Sequence, residues 1–355
     1  MNVRAKSQNL AKRLDKSVHF NYNMGINLQK KARQSMYTIG VDLGGTNIAI
    51  GLCDESLNII DKGSIPTLAD RDGELIVRDM ANLAGELIKK NGLSLDDIAS
   101  VGIATPGIAN TETGVVEYAN NLPFRDFPIA EIFKKYLSVK KVLIANDANA
   151  AALGEALAGS AKGAGVALMI TLGTGVGGGV IMNGKIFAGG VNFSGTELGH
   201  TVLVSGGRQC TCGRRGCWEA YSSATALSRM TKEKMTELSL KGVPSLMHGM
   251  EKPDGSVSAR VSFAAMKQGD PYAKEVCDEY IRYLAEGITN MINIFQPHIL
   301  CIGGGVCNEK EYLTVPLIEI VERDQYTRSN PNKTKIVTAT LGNDAGIIGA
   351  ASLGR

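Results

Sequence analysis

The sequence has no hydrophobic run that approaches the ~20 residues needed to span a bilayer. Its apolar pieces are short, such as residues 165–173, and its start lacks the apolar segment of a secretory signal. Its seven cysteines are an odd number, which does not suggest a complete set of disulfides. These absences predict a cytoplasmic protein with reduced thiols and no membrane partner.

Acidic residues are scarce in the first 35 positions, where eight Lys and Arg side chains accompany Asp15 alone. The rest of the chain carries 30 basic and 34 acidic side chains, so the body is mildly acidic. An acidic body argues against a nucleic-acid partner, and residues 1–35 are too short for a winged-helix DNA-binding module. We predict that residues 1–35 form a disordered basic extension. A targeting peptide is the alternative, although serines are few there.

After this extension, strand and helix patterns alternate as in an α/β protein. Residues 37–66 predict three strands joined by tight turns, and residues 72–90 predict a helix with apolar residues at helical spacing. The segment VLIAN, residues 142–146, predicts a strand that runs directly into an Ala-rich helix. After Gly163 a second strand, glycine turn and strand repeat the opening pattern, which suggests a duplicated fold. A long amphipathic helix is predicted at residues 273–295.

The segment between Glu197 and Glu219 is rich in metal-ligand residue types. Four of them have the spacing H-x9-C-x-C-x4-C: His200, Cys210, Cys212 and Cys217. Three thiolates and an imidazole form the tetrahedral ligand set of structural zinc. Incidental thiols or disulfides are the alternative. The spacing favours a closed zinc site that shapes this loop, with its negative charge offset by Arg208, Arg214 and Arg215.

Glycine turns follow several predicted strands. The first comprises Asp42, Gly44, Gly45, Thr46 and Asn47. Its glycines can admit a phosphate, its threonine can donate a hydrogen bond to it, and its aspartate can hold Mg²⁺ through water. The second turn comprises Thr171, Gly173, Thr174 and Gly175. A third cluster comprises Gly303, Gly304 and Gly305 and can accept an adenine or ribose face.

The second turn also fits the G-x-G-x-x-G pattern of dinucleotide-binding proteins through Gly173, Gly175 and Gly178. In that pattern the third glycine opens a helix. Here an apolar strand continues into Asn183-Gly184, which is a strong hairpin signal. The pattern therefore predicts a β-turn that binds phosphate through backbone N–H groups, with a bare structural hairpin as the alternative.

Together, the segments DLGGTN, TLGTGVGGG, ELGH with the cysteine loop, and IGGGV resemble the ROK family of sugar kinases and repressors across residues 36–354. The resemblance implies the actin-like ATPase (ribonuclease H-like) fold, in which two α/β domains close around a cleft. We assign residues 36–150 with 341–355 to a small N-terminal domain. Residues 151–340 form the predicted larger C-terminal domain with the zinc loop.

The resemblance also implies roles for individual residues. Asp147 matches the catalytic base that accepts the proton of the attacking sugar hydroxyl. Sugar-binding segments are matched by Gly107, Asn121, Asn146, Asp147, Glu197, His200 and Glu219. The three glycine clusters match ATP-binding segments, and His200 would serve both zinc and sugar. A helix start favours an ionised Asp147, so we expect a low pKa, although the residue pattern alone fits an N-cap role equally well. Glu155 either supports the site or lies on the helix surface.

The implied reaction is transfer of the γ-phosphoryl group of Mg-ATP to the 6-hydroxyl of a hexose. Glucose is favoured because residues 120–124, NNLPF, resemble that loop in glucose-phosphorylating members. The alternatives are N-acetylmannosamine, N-acetylglucosamine, fructose or allose as substrate, polyphosphate as donor, and a sugar-sensing transcriptional regulator. The family resemblance implies a homodimer or homotetramer. On this reading, Gly175→Val should raise the KM for ATP more than the KM for sugar.

Overall fold

The computed structural model describes residues 37–355, so the predicted basic extension at residues 1–35 lies outside the described residues. Two five-stranded sheets and one three-stranded sheet organise this part of the chain. The strands are β1 (Tyr37–Leu43), β2 (Asn47–Cys53), β3 (Ile59–Pro66), β4 (Ile98–Thr105), β5 (Ile108–Asn110), β6 (Val115–Tyr118), β7 (Arg125–Phe127), β8 (Val142–Asn146), β9 (Val166–Leu172), β10 (Val176–Met182), β11 (Lys185–Ile186), β12 (Ile299–Gly303) and β13 (Lys335–Thr338).

The α-helices connect and cover these sheets. They are α1 (Gly73–Lys90), α2 (Ile129–Tyr136), α3 (Asp147–Ala158), α4 (Glu219–Ser222), α5 (Ala224–Leu240), α6 (Arg260–Lys267), α7 (Pro271–Phe295), α8 (Glu311–Asp324) and α9 (Ala345–Ser352). No helix within residues 37–355 combines the length and the apolar character that crossing a membrane requires.

The two larger sheets share one strand plan. The first has the order β3-β2-β1-β4-β8, and the second has the order β11-β10-β9-β12-β13. In each sheet three antiparallel strands lie beside two strands that pair in parallel. The hairpin formed by β10 and β11 turns at Asn183 and Gly184, both with positive φ, as the Asn-Gly signal predicts. The repeated plan agrees with the duplication predicted from the sequence.

Apolar periodicity explains how the helices pack on the sheets. Helix α1 is capped by Asp72, whose Oδ1 accepts a hydrogen bond from the backbone N–H of Glu74 at 2.7 Å, and its Ile76, Met80 and Leu87 enter the core of the first sheet. Helix α7 buries Tyr280, Leu284 and Ile288 in the core of the second sheet. It begins two residues before the predicted start because Pro271 fits the first helical position.

The described chain passes between the two larger sheets at two points. Helix α3 follows β8 of the first sheet and leads to β9 of the second. After β13 of the second sheet, the chain returns through residues 339–344 to α9, which packs against α3, β1 and β4. The predicted domain boundaries at residues 150 and 340 fall near these crossings, and the division into domains remains a prediction.

Candidate active site

The start of α3 places two polar side chains in different roles. Asn146 is the N-cap, because its Oδ1 accepts hydrogen bonds from the backbone N–H groups of Ala148 at 3.0 Å and Asn149 at 3.2 Å. Its Nδ2 donates to the carbonyl oxygen of Gly107 at 3.1 Å. Asp147 is the first residue of the helix and not its cap. The capping alternative that the sequence left open therefore belongs to Asn146.

Two cavities adjoin at Asp147. The larger has a volume of about 740 Å³ and the smaller about 330 Å³. Both are within the usual size range of small-molecule sites. Their walls share Asp147, Ala148, Thr171, Gly177 and Gly304. Gly177 was not among the residues predicted from the second glycine turn, although it lies two positions after Gly175.

The larger cavity brings together residues predicted to bind nucleotide. Asp42, Thr171 and Gly303–Gly305 lie in its wall. Further polar residues in the same wall were missed by sequence reasoning: Asn308, Lys310 and Asn343. The first two follow the third glycine cluster by a few positions, and this proximity was the available signal for them. Asn343 comes from the crossing before α9, which the motifs did not identify as part of the site.

The smaller cavity brings together residues predicted to bind sugar: Asn146, Asp147, Glu197, His200 and Glu219. It also includes Asn149 and Thr196, which sequence reasoning missed. The Thr196 hydroxyl donates to Asn149 Oδ1 at 3.2 Å. Thr196 has φ +69°, a strained conformation for a β-branched residue, directly before Glu197. This hydrogen bond fixes the loop that presents Glu197 to the cavity.

Within residues 37–355, several predicted site residues lie outside both cavity walls: Gly44, Gly45, Thr46, Asn47, Gly107, Asn121 and Thr174. Thr46, Asn47 and Asn121 are exposed, and a Cβ atom on Gly45 would lie 3.4 Å from the Cβ atom of Asn121. The first glycine turn and the NNLPF loop are therefore in contact, but the structure does not bring them into either wall. The carbonyl of Thr174 accepts from the Thr225 hydroxyl at 2.8 Å.

The cavity carboxylates have altered proton affinities. Burial, reinforced by the negative charge of Asp147, raises the pKa of Asp42 to about 6. Burial also raises the pKa of Asp147, against the lowering effect of a hydrogen bond from the Ala148 backbone N–H. The expectation of a low Asp147 pKa was therefore wrong, because loss of solvent outweighs the helix start. Loss of solvent and the charges of Asp147 and Glu219 likewise raise the pKa of Glu197.

The four predicted metal ligands form one cluster beside the smaller cavity. Their donor atoms all lie within 4.8 Å of one another. His200 Nδ1 is 3.6 Å from Cys210 Sγ, and the Cys212 and Cys217 sulfurs are 3.7 Å apart. Two thiolates bound to one tetrahedral Zn²⁺ at ~2.3 Å each lie roughly 3.8 Å apart, so this geometry fits a four-coordinate ion.

The thiols of the cluster differ in proton affinity. Burial raises the pKa of Cys217 to about 12 and raises that of Cys210, so a metal would have to displace their protons. A hydrogen bond from the Arg214 backbone lowers the pKa of Cys212. Arg208 does not contribute as expected, because its guanidinium binds both carboxylate oxygens of Glu233 at 2.6 and 2.7 Å.

Trp218 anchors the loop that joins the metal cluster to the smaller cavity. Its side chain is fully buried, and its Nε1 donates to the Tyr283 carbonyl of α7 at 3.2 Å. The next residue, Glu219, accepts from the backbone N–H of Val176 at 3.0 Å and from the Thr211 hydroxyl at 3.2 Å. Glu219 thus links the second glycine turn to the cysteine loop.

Known proteins resemble this chain in sequence and in fold. Residues 38–355 match the family described as "ROK family", and the chain belongs to the ROK family. It is 37% identical to a glucokinase of Halalkalibacterium halodurans over 89% of this chain and 94% of that protein. It is 38% identical to a glucokinase of Thermotoga maritima over 89% of this chain and 96% of that protein.

Solved structures agree with this assignment. A ROK family glucokinase from Streptomyces griseus, in complex with glucose and AMPPNP, superposes with a TM-score of 0.72 at 32% identity, covering 89% of this chain and 98% of that one. The family resemblance seen in the motifs and the actin-like ATPase fold that it implied are both confirmed.

Proposed function

We propose that this protein is an ATP-dependent glucokinase that phosphorylates the 6-hydroxyl of glucose. The observation that carries the proposal is the meeting of two cavities at Asp147. One is lined by Asp42 and the third glycine cluster, and the other by Glu197, His200, Glu219 and the second glycine turn. A kinase needs its two substrates to meet at one general base. Two cavities that share Asp147 would allow this. Relatives named glucokinase over nearly their full length support glucose as the substrate.

The larger cavity is the proposed nucleotide site. Gly303–Gly305 would accept the nucleoside, and the phosphates would extend toward Thr171 and Gly177, where the two cavities meet. Gly173 and Gly175, which the sequence predicted to bind ATP, line the smaller cavity instead. Asp42 is the proposed holder of Mg²⁺, which neutralises phosphate charge when bound with ATP. Its raised pKa fits this role, because a buried carboxylate that lacks a cation favours its protonated form.

The smaller cavity is the proposed glucose site, where Asn146, Glu197, His200 and Glu219 would bind sugar hydroxyls. The cluster of His200 and three cysteines would hold zinc in a structural role, since all four coordination positions are filled by protein atoms. His200 would bind the ion through Nδ1, which leaves Nε2 for a sugar hydroxyl. The metal would thereby fix the tautomer and the ring angle of His200.

Asp147 is the proposed general base. The Asn146 cap and the first turn of α3 hold it where both cavities meet, so it can orient the sugar hydroxyl toward the nucleotide cavity. Orientation matters more than early deprotonation in phosphoryl transfer. The raised pKa makes Asp147 a better proton acceptor than an ordinary aspartate.

Closure of the proposed domains would bring the exposed Asn121 and the first glycine turn toward the substrates and exclude water. We propose a homodimer or homotetramer, to be checked by light scattering.

We also propose a cytoplasmic location, because the three free thiols of the proposed zinc site suit a reducing compartment.

The test is an ADP-release assay on the purified protein with glucose, N-acetylmannosamine, N-acetylglucosamine, fructose and allose at equal concentration. A parallel series replaces ATP with polyphosphate. We expect turnover with ATP and preference for glucose. No turnover with any sugar would refute the kinase assignment, and DNA binding at low salt would then favour the regulator.

Asp147→Asn tests the catalytic role within the same assay. We expect kcat to fall by roughly 10²–10⁴-fold, because the variant cannot accept the proton. Glucose binding, measured by calorimetry, should persist. Asp96→Asn is the matched control, because the Asp96 side chain is 92% exposed and is not part of either cavity wall. A kcat for Asp147→Asn close to that of the control would contradict the assignment.

A further inference from the structure

Glu155 is a fully buried carboxylate that the proposed chemistry does not use. It lies on α3, eight positions after Asp147, and its exposed fraction is 0%. It is not on the helix surface, which was one of the two alternatives drawn from the sequence. Buried carboxylates are stable only when hydrogen bonds or counter-charges replace their hydration, so its partners show what it organises.

Five hydrogen bonds reach this carboxylate from two segments of the chain. From the turn after α3, Ser160 donates through its backbone N–H at 2.7 Å and its hydroxyl at 3.0 Å, both to Oε2. From the segment after β13, the backbone N–H groups of Thr340 and Leu341 donate to Oε1 at 2.9 and 2.8 Å. The Thr340 hydroxyl also donates to Oε2 at 3.3 Å.

These two segments belong to the two crossings between the larger sheets. Ser160 follows the helix that leads from the first sheet to the second, while Thr340 and Leu341 begin the return to the first sheet. Glu155 therefore joins the outgoing crossing to the returning one. Each of its carboxylate oxygens has at least one backbone donor, which fixes main-chain positions and not only side chains.

The helices of the two crossings also pack at very short range. A Cβ atom on Gly154 would lie 2.5 Å from the Ala345 carbonyl oxygen, and one on Gly349 would lie 1.7 Å from the Ala150 carbonyl oxygen. Only glycine permits this approach of α3 to α9. A shift of α3 would therefore displace α9 through direct backbone contact. The Glu155 carboxylate binds the segment that precedes α9.

The segment held by Glu155 forms part of the wall of the larger cavity. Thr338 and Ala339 precede it, Gly342 and Asn343 follow it, and all four line the cavity. Asp147, at the other end of α3, lines the same cavity. We propose that Glu155 is a positioning residue that sets this nucleotide-binding wall relative to the catalytic base. The inference rests on the proposed function, since it takes the larger cavity as the nucleotide site.

The test compares Glu155→Gln with Ser160→Ala in the full-length protein. The amide side chain of Glu155→Gln carries no charge, so its one oxygen accepts more weakly from the Thr340 and Leu341 backbone. Its nitrogen cannot accept from the Ser160 backbone, so the link between the two crossings is also lost. Ser160→Ala removes one hydrogen bond to the same carboxylate without touching the nucleotide wall. The measurements are the Kd for ADP with Mg²⁺ and the Kd for glucose by calorimetry, the KM for ATP, and the melting temperature.

We expect Glu155→Gln to raise the Kd for ADP and the KM for ATP about tenfold, with the Kd for glucose within about twofold of the unaltered protein. Ser160→Ala should leave nucleotide affinity unchanged. A loss of melting temperature in both variants with unchanged ADP affinity would show a structural role alone and overturn the inference. Absence of ADP binding by the unaltered protein would instead refute the proposed function.

Thr340→Ala decides the question if Glu155→Gln does not fold. It removes only the hydroxyl contact on the nucleotide side of the carboxylate. The inference requires a Kd for ADP at least about threefold higher in Thr340→Ala than in Ser160→Ala, because one weak hydrogen bond is lost from the wall. Equal affinities of these two variants for ADP would overturn the inference.

Discussion

Gly175 offers a sharp test of how the second glycine turn supports the site. A Cβ atom at this position would lie 2.2 Å from Oε2 of Glu219, whereas ordinary van der Waals contact begins at 3.4 Å. Gly175→Ala therefore requires the carboxylate to move by about 1.2 Å or the turn to move away from it. Glu219 is in the proposed glucose site, so the sugar should be affected more than the nucleotide. This reverses the expectation drawn from the glycine turn alone.

The magnitude follows from the contacts that hold Glu219. Its Oε2 accepts the Val176 N–H at 3.0 Å, and its Oε1 accepts the Thr211 hydroxyl at 3.2 Å. Displacement of Oε2 sacrifices a charged hydrogen bond, worth ~1.5–3 kcal/mol. That energy corresponds to roughly a ten- to hundredfold change in affinity. We expect the KM for glucose to rise within this range and the KM for ATP to change less than about twofold.

Gly173→Ala is the matched control in the same turn. A Cβ atom on Gly173 would meet nothing within 4 Å, so the backbone change is similar but Glu219 stays in place. Initial rates are measured with glucose varied at saturating ATP, and then with ATP varied at saturating glucose. A larger rise in the KM for ATP than in the KM for glucose, or the same response in both variants, would refute the reasoning.

Two further predictions concern the cysteine cluster and the buried aspartate. Cys212→Ser should lower zinc per chain, measured by atomic emission, and weaken glucose binding together, whereas Cys277→Ser should change neither; full glucose affinity in a metal-free protein would contradict the link. Asp42→Asn should abolish turnover yet stabilise the fold near pH 7 by up to about 3 kcal/mol, because the folded-state pKa of about 6 lies above the ordinary 3.8. Ionisation of Asp42 opposes folding fully above about pH 6 and not at all below about pH 4, so the melting-temperature advantage of Asp42→Asn should vanish on acidification; a pH-independent difference would contradict this assignment.

The sequence could predict those parts of the fold and site that are encoded locally. Helix periodicity located α1 and α7, and the Asn183-Gly184 pair located a hairpin, because each signal depends on neighbours a few residues apart. The cysteine cluster was predictable for the same reason, since His200 and Cys217 belong to one continuous loop.

Other parts of the site depend on contacts between distant segments. Asn343 reaches the larger cavity only because the chain returns from the second sheet to the first. Thr196 meets Asn149 across 47 positions, and Glu155 meets Leu341 across 186. No short motif records such distances. The pKa of Asp147 was mispredicted for a related reason, because it depends on how deeply the folded chain buries the carboxylate and not on the helix start alone.

Helix α3 explains why so much of the proposed mechanism depends on one short stretch of sequence. Asp147 lies where the cavities meet, Asn149 holds the loop of the proposed sugar site, and Glu155 holds the wall of the proposed nucleotide site. A helix rises ~1.5 Å per residue, so the contacts at Asp147 and Glu155 are separated by a rigid spacing of about 12 Å. Since both substrate walls are hydrogen-bonded to the element that carries the base, movement of either wall displaces it relative to that base. Changes in the length or packing of α3 should therefore alter both substrate sites together, whereas changes at Thr196 or Thr340 should alter one.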